Sequence, residues 1–109
     1  MIKGCVTFKY LEKDILKLGR IISNLLFGKK DVFKGLETYL RDEVPFIYTD
    51  NFIGCYLGIM QNPENLDVFS LEIVDISNDN NSPVDLTDRL IFYLKKCPEI
   101  RIMSYPNIG

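Results

Sequence analysis

The segment from Phe46 to Ile76 decides the fold and reads FIYTDNFIGCYLGIMQNPENLDVFSLEIVDI. Three runs rich in β-branched and aromatic residues are separated in it by residues that favour turns, as in consecutive antiparallel strands. The predicted strands cover residues 46–49, 52–60 and 68–76. Asp50-Asn51 is the predicted turn of the first hairpin, because both residue types tolerate the positive φ of a two-residue turn. We therefore predict an antiparallel meander.

The predicted turn also sets which side chains share a face of the meander. It pairs Tyr48 with Ile53 and so places Tyr48 on the same face as Leu57. Tyr56 and Glu72 then lie on the opposite face, because successive side chains of a strand point to opposite sides. Both faces are largely apolar, so we expect helices on both of them.

The segment before the meander is predicted to add one strand and two helices. Apolar and polar residues alternate over Val6–Tyr10, which indicates a short strand. An apolar stripe with helical spacing predicts a helix over Leu11–Phe27, ended by the glycine that follows. Asp31 is the predicted N-cap of a second helix, which ends near Asp42 because Pro45 disfavours helix at the residue before it.

The segment after the meander contains a clear helix start. Ser82 as N-cap, Pro83 at the first helical position and Asp85 at the third resemble a capping box. An apolar stripe follows and predicts a helix over residues 83–97. The sequence then predicts a last strand over Ile100–Ser104.

Together these elements predict an α+β fold. We expect a single globular domain over residues 1–109, because typical domains have about 100–150 residues. The expected sheet is mixed and four- to five-stranded, with the antiparallel meander at its centre and about three helices packed on it. The predicted element order is β-α-α-β-β-β-α-β.

The composition excludes several kinds of chemistry. The chain has no histidine, so Ser-His-Asp and Cys-His catalysis within it and imidazole metal sites are excluded. Cys5, Cys55 and Cys97 have neither metal-ligand spacing nor the density of a disulfide framework, and we expect three reduced thiols. The sequence predicts no catalytic residue, no metal site and no cofactor, and it leaves open whether the protein is an enzyme.

Hydropathy gives an expectation for the compartment. No apolar stretch reaches the roughly 18–20 residues of a membrane span, and Met1–Tyr10 lacks the apolar region of a secretory signal. We therefore expect a cytoplasmic protein that does not bind a membrane.

Charge is distributed unevenly along the chain. Residues 42–88, here termed the acidic block, contain ten acidic residues and no lysine or arginine. Residues 1–43 have a net charge of +3 and residues 44–109 a net charge of −5. A negative surface attracts cationic partners and repels nucleic acid. We therefore expect a basic protein partner and no nucleic-acid binding.

The partner-binding surface is predicted within the acidic block. Its expected members are Asp50, Phe52, Tyr56, Glu64, Asp67, Glu72 and Asp79. Glu72 lies mid-strand and must reach solvent, pair with a lysine or meet a partner, because an unpaired buried charge is costly. A small acidic protein can occupy the nucleic-acid site of a basic nuclease by electrostatic complementarity. The favoured hypothesis is an immunity protein or antitoxin-type inhibitor of such a toxin.

Several alternatives stay open. The acids could form a solvated face with no specific role. The protein could be a small-molecule-binding domain or minor enzyme with the Glu72 carboxylate in a pocket. It could also be a phage- or plasmid-borne inhibitor of a host nucleic-acid enzyme. Gly54 and Gly58 indicate either a flat place for a partner or room for a helix packed across the sheet.

Overall fold

The computed structural model describes residues 2–35, 40–41, 44–77 and 83–104. In these ranges, eight strands form one sheet and two helices pack on it. In chain order the elements are β1 (Ile2–Tyr10), α1 (Ile15–Phe27), β2 (Phe33–Lys34), β3 (Leu40–Arg41), β4 (Val44–Thr49), β5 (Cys55–Gln61), β6 (Val68–Asp75), β7 (Val84–Asp85), α2 (Thr87–Leu94) and β8 (Ile100–Ser104). The α+β class is confirmed. The predictions of about three helices and four or five strands are wrong in number for the described residues.

The N-terminal strand β1 lies in the interior of the sheet. One of its edges pairs antiparallel with β6, from Gly4 opposite Ile73 to Lys9 opposite Val68. The other edge is shared by β7, which pairs in parallel over two residues, and β8, which pairs antiparallel. β6, β5 and β4 follow as the predicted antiparallel meander, and β2 and β3 each add a short antiparallel pairing to β4.

Both helices pack on the same face of the sheet. One cluster of buried side chains joins them to the strands: Val6, Phe8, Tyr10, Ile15, Leu18, Ile22, Phe33, Ile47, Leu57, Ile59, Phe69, Leu71, Leu90, Ile91, Leu94 and Ile100. The opposite face, here termed the open face, carries neither of the two described helices. The expectation of helices on both faces is therefore wrong for the described elements.

The predicted second helix is replaced by strand where the structure describes this segment. β2 pairs with the end of β4, and β3 pairs with its beginning. The Asp31 carboxylate accepts a hydrogen bond from the backbone N–H of Phe33 (3.2 Å) and so forms a local turn instead of a helix cap. Burial of Phe33 and pairing with β4 override the helical pattern. Residues 36–39 and 42 lie outside the described ranges.

The first helix is confirmed, with a later start than predicted. It begins at Ile15 and not at Leu11, because the Asp14 carboxylate caps it, accepting the N–H groups two and three residues ahead at 3.1 Å each. It ends at Gly28 as predicted, and this glycine has the left-handed conformation (φ 65°) of a helix C-cap.

The C-terminal helix begins at Thr87, so the predicted start at Pro83 is wrong. The residues before it are drawn into β7 by pairing with β1. The Asp85 carboxylate accepts the N–H of Thr87 (2.9 Å), and the Thr87 hydroxyl accepts the N–H of Cys5 (3.2 Å) between the β7 and β8 pairings. Ser82, the predicted N-cap, lies outside the described residues.

The β4–β5 hairpin turns at Ile53-Gly54, so the predicted turn at Asp50-Asn51 is wrong. Phe52 and Cys55 exchange backbone hydrogen bonds of 2.7 and 2.9 Å across the turn. Ile53 and Gly54 both have positive φ, 51° and 76°, as a type I′ turn requires.

A β-bulge in this hairpin moves the β4 side chains to the faces opposite to those predicted. Tyr48 pairs with Gly58, so residues 49–51 oppose residues 56–57, which is one residue more on the first strand. The N–H of Leu57 donates to the Thr49 hydroxyl (3.0 Å) at this point. Tyr48 consequently lies on the open face with Tyr56, and not with Leu57 as predicted. The predicted assignment of the β5 and β6 side chains to the two faces of the sheet is confirmed: Tyr56 and Glu72 share one face, and Leu57 lies on the other.

Candidate protein-binding site

One end of the sheet collects exposed apolar side chains. The Ile53-Gly54 turn, the end of β6 and β7 lie side by side there, since Cys55 opposes Asp75 and β7 pairs with the start of β1. We term this surface, residues 50–54, 75–77 and 84–88, the hairpin end. The exposed fractions of its apolar residues are 39% for Phe52, 88% for Ile53, 49% for Ile76 and 53% for Val84. Such a group of exposed apolar residues is typical of an interaction surface.

An apolar cleft of about 280 Å³ adjoins the hairpin end. It lies between α1, α2 and the hairpin turn and is lined by Ile2, Leu26, Phe27, Phe52, Ile53, Cys55, Leu57, Ile73, Leu86, Arg89, Leu90 and Tyr93. Phe52 forms its wall with Phe27 through an edge-to-face contact of 5.6 Å between ring centroids. Arg89 is the one charged residue in this lining. The cleft suits an apolar side chain better than a polar small molecule, which needs convergent polar groups.

Ile53 is strained at the rim of this cleft. A β-branched residue with positive φ is a backbone outlier, and the left-handed conformation costs roughly 1–2 kcal/mol. Its side chain is almost fully exposed, so burial does not offset this cost. Backbone strain that burial does not compensate is typical of residues at functional sites.

The segments of the hairpin end contain four acidic residues: Asp50, Asp75, Asp85 and Asp88. Hydrogen bonds from Ser77 and from the backbone N–H of Ile2 lower the pKa of Asp75. Hydrogen bonds from Thr87, with a smaller effect of Lys3, lower the pKa of Asp85. Asp50 forms an ion pair with Lys34, so a lysine from the basic part of the chain offsets some of the negative charge.

The structure brings together only part of the predicted surface. Asp50 and Phe52 lie at the hairpin end, Tyr56 and Glu72 on the open face, Glu64 and Asp67 at the opposite end of the sheet, and Asp79 outside the described residues. Glu72 is exposed to solvent and does not line the apolar cleft. The sequence pattern missed Ile53, Ile76 and Val84, although a residue before glycine in a β-rich run is a recognisable turn signal.

Gly54 and Gly58 both serve the fold, the first in the hairpin turn and the second within β5. Gly54 is the second residue of the hairpin turn. A Cβ on Gly58 would lie 2.8 Å from Cε1 of Phe46, so the glycine makes room for a ring from the neighbouring strand. Phe46 also stacks on Tyr48, with ring centroids 5.8 Å apart, and Tyr48 meets Tyr56 edge-on at 6.4 Å.

The titratable groups buried in the core, the Cys55 thiol and the Tyr10 hydroxyl, have a structural role. Burial raises the pKa of the Cys55 thiol, which keeps it protonated and unreactive near neutral pH. Burial, together with the 2.6 Å hydrogen bond that its hydroxyl donates to Glu12, raises the pKa of Tyr10. The described residues contain no group of three or more His, Cys, Asp or Glu side chains placed to hold a metal ion.

Neither α1 nor α2, the helices of the described ranges, is long and apolar enough to cross a membrane. No protein-family model, curated protein or solved structure matches the chain.

Proposed function

We propose that this protein is a small binding domain that acts by occupying a basic protein partner, as an immunity protein or antitoxin occupies a nuclease toxin. The observation that carries the proposal is the hairpin end: exposed Phe52, Ile53, Ile76 and Val84 in segments that also contain four acidic residues. A central apolar anchor with charged residues around it is the usual composition of a protein interface.

The apolar cleft gives the proposed interface its anchor point. An apolar side chain of the partner would enter the cleft beside Ile53. Basic side chains around it would meet Asp88 and compete with Lys34 for Asp50. Charged residues at the rim mainly raise the association rate, and the buried anchor mainly slows dissociation. The cytoplasm is the proposed compartment, and the three unpaired cysteines fit its reducing environment.

The experiment separates the effect of the rim charges on association from the effect of the apolar anchor on dissociation. Tagged protein is used to isolate the partner from native cells, and the kinetics of the purified pair are then measured at low and high salt. We expect Asp50→Lys/Asp88→Lys to slow association at low salt and to weaken its dependence on salt. We expect Ile53→Asn to speed dissociation while the fold is retained, as checked by circular dichroism.

The control is a second pair of acids at the opposite end of the sheet. Glu64→Lys/Asp67→Lys changes the charge by the same amount and belongs to the surface first expected from the sequence. It should leave both rate constants unchanged. If this pair slows association and the hairpin-end pair does not, the proposed interface is wrong. The proposal also excludes direct nucleic-acid binding, and a salt-sensitive gel shift with RNA or DNA would contradict it.

A further inference from the structure

The apolar cleft beside the hairpin end has a buried floor and an exposed mouth. Its floor includes Cys55, Leu57 and Leu90, which are all buried in the fold. Phe52 and Ile53 are exposed and lie at its mouth. An apolar lining offers water few hydrogen-bond partners, so replacing water in the cleft by a hydrocarbon chain is favourable.

The mouth of the cleft also carries the positive charge of Arg89. This residue lines the cleft and is exposed, so its aliphatic stem lies along the apolar wall while its guanidinium reaches solvent. Within the part of the chain that the structure describes, this guanidinium forms no ion pair. An arginine placed in this way is suited to a carboxylate whose apolar chain continues into the cleft.

The acidic residues of the hairpin end do not neutralise this charge by a direct contact. The cleft lining that the structure describes includes none of the four. Asp50 is held in an ion pair, and hydrogen bonds from the protein hold Asp75 and Asp85. Asp88 adjoins Arg89 in α2, but successive residues of a helix do not face each other. The guanidinium therefore stays available to a ligand.

We propose that the cleft binds a medium-chain aliphatic carboxylate, with the hydrocarbon chain in the cleft and the carboxylate paired with Arg89. At about 30 Å³ for each methylene group, similar to a water molecule, a cleft of about 280 Å³ holds a chain of about eight to ten carbons. This inference is independent of the proposed protein partner, because the purified chain alone is sufficient to test it.

The test is calorimetric titration of the purified wild-type chain with carboxylates of six to twelve carbons, each below the concentration at which it aggregates. The dissociation constant should fall about threefold to fourfold with each added methylene group and level off once the cleft is full, near ten carbons. Decanoate should bind more tightly than decanol or decyltrimethylammonium, which have the same chain without the negative charge. Decanoate should also shift the methyl NMR signals of Leu57 and Ile73 in the cleft, and not those of Leu71, which is buried elsewhere in the core.

Three variants separate the contribution of the charge from that of the cleft. Arg89→Gln should raise the dissociation constant of decanoate about fivefold to tenfold and leave that of decanol unchanged, because only the carboxylate loses a partner. Leu26→Trp, at a half-buried residue of the lining, fills the cleft and should abolish binding of both compounds. Arg101→Gln removes an exposed arginine outside the cleft and should change neither dissociation constant.

Two results would overturn the proposal. One is a wild-type chain whose cleft methyl signals do not shift at millimolar decanoate. The other is a preference for decanoate over decanol that Arg89→Gln leaves unchanged, because the carboxylate would then bind elsewhere. Neither result bears on the proposed partner interface, since the partner is absent from both measurements. Circular dichroism of each variant, with and without decanoate, ensures that the compared chains are folded.

Discussion

Single residues set the local geometry that the sequence pattern could not reveal. The alternation of apolar and polar residues identifies the strands of the meander, but it does not say where the chain reverses. Asp50-Asn51 and Ile53-Gly54 both precede the second strand, and composition favours the first pair. The hydrogen-bonding Thr49 and the resulting bulge move the turn three residues onward, and this shift transfers Tyr48 to the open face.

Relief of the strain at Ile53 should stabilise the monomer. Asparagine tolerates the left-handed conformation, and Asn-Gly is the preferred pair for a type I′ turn. We expect Ile53→Asn to raise the free energy of unfolding by about 1 kcal/mol in urea denaturation. Ile76→Asn, at an exposed residue that lacks positive φ, serves as the control and should bring no gain. A loss of stability in Ile53→Asn would show that cleft packing outweighs the backbone strain.

The close contact of Gly58 with Phe46 predicts a second effect. A Cβ at 2.8 Å from Cε1 of the ring forces a shift, so Gly58→Ala should lower the free energy of unfolding by about 1–3 kcal/mol. Phe46→Leu removes that ring atom. In the double variant the penalty of the alanine should therefore be smaller than in the wild-type background, as a double-mutant cycle in urea measures. Additive losses would mean that the two residues do not compete for space.

At the scale of elements, periodicity predicts the type of element better than its boundaries. The stripe of α1, its end at Gly28, the meander and the last strand all follow from the sequence. The segment after Asp31 also has helical spacing, yet it supplies β2 and β3. Short segments have little helical stability of their own, and pairing with an adjacent strand decides their conformation. β7 replaces the first turn of the predicted last helix for the same reason.

The contribution of the α1 N-cap, Asp14, to stability can be tested by substitution. Asp14 accepts two backbone N–H groups at 3.1 Å, and alanine leaves them without a protein acceptor. We expect Asp14→Ala to lower the free energy of unfolding by about 0.5–2 kcal/mol, measured by thermal or urea unfolding. Asp14→Asn keeps the capping oxygen and should lose much less. Equal losses in both variants would assign the effect to charge at the helix N-terminus and not to capping.

At the scale of the whole molecule, separation of charge along the chain does not become separation in space. β1 carries Lys3 and Lys9 into the sheet beside β6, and Lys34 reaches Asp50 from β2. The acidic block therefore spreads over both ends of the sheet and the open face. Pairing of β1 with β6 joins residues 59 to 69 positions apart and causes much of this mixing, and no local pattern encodes it. Hence the sequence could suggest acidic recognition residues without showing which of them meet.

Two hydrogen-bonded carboxylates make stability dependent on pH. Hydrogen bonds from Ser77 and Ile2 to Asp75, and from Thr87 to Asp85, lower the pKa of both carboxyl groups in the folded chain. A carboxyl group with a lowered folded-state pKa stabilises the fold fully above its unfolded pKa, near 4, and this contribution disappears as the pH falls through the folded value. Unfolding of wild-type protein should therefore become easier from about pH 5 downward.

The variant that isolates these groups is Asp75→Asn/Asp85→Asn, because asparagine keeps an oxygen acceptor but does not titrate in this range. We expect the wild type to be more stable than the variant at pH 7, by an amount that shrinks as the pH falls below about 4. Urea denaturation at a series of pH values measures the difference directly. A difference that stays constant with pH would mean that the carboxyl groups act only through hydrogen-bond geometry. A shrinking difference shows that the charge of Asp75 stabilises the end of β6 against β1 and that the charge of Asp85 stabilises the end of β7 against α2. These contacts position the hairpin end.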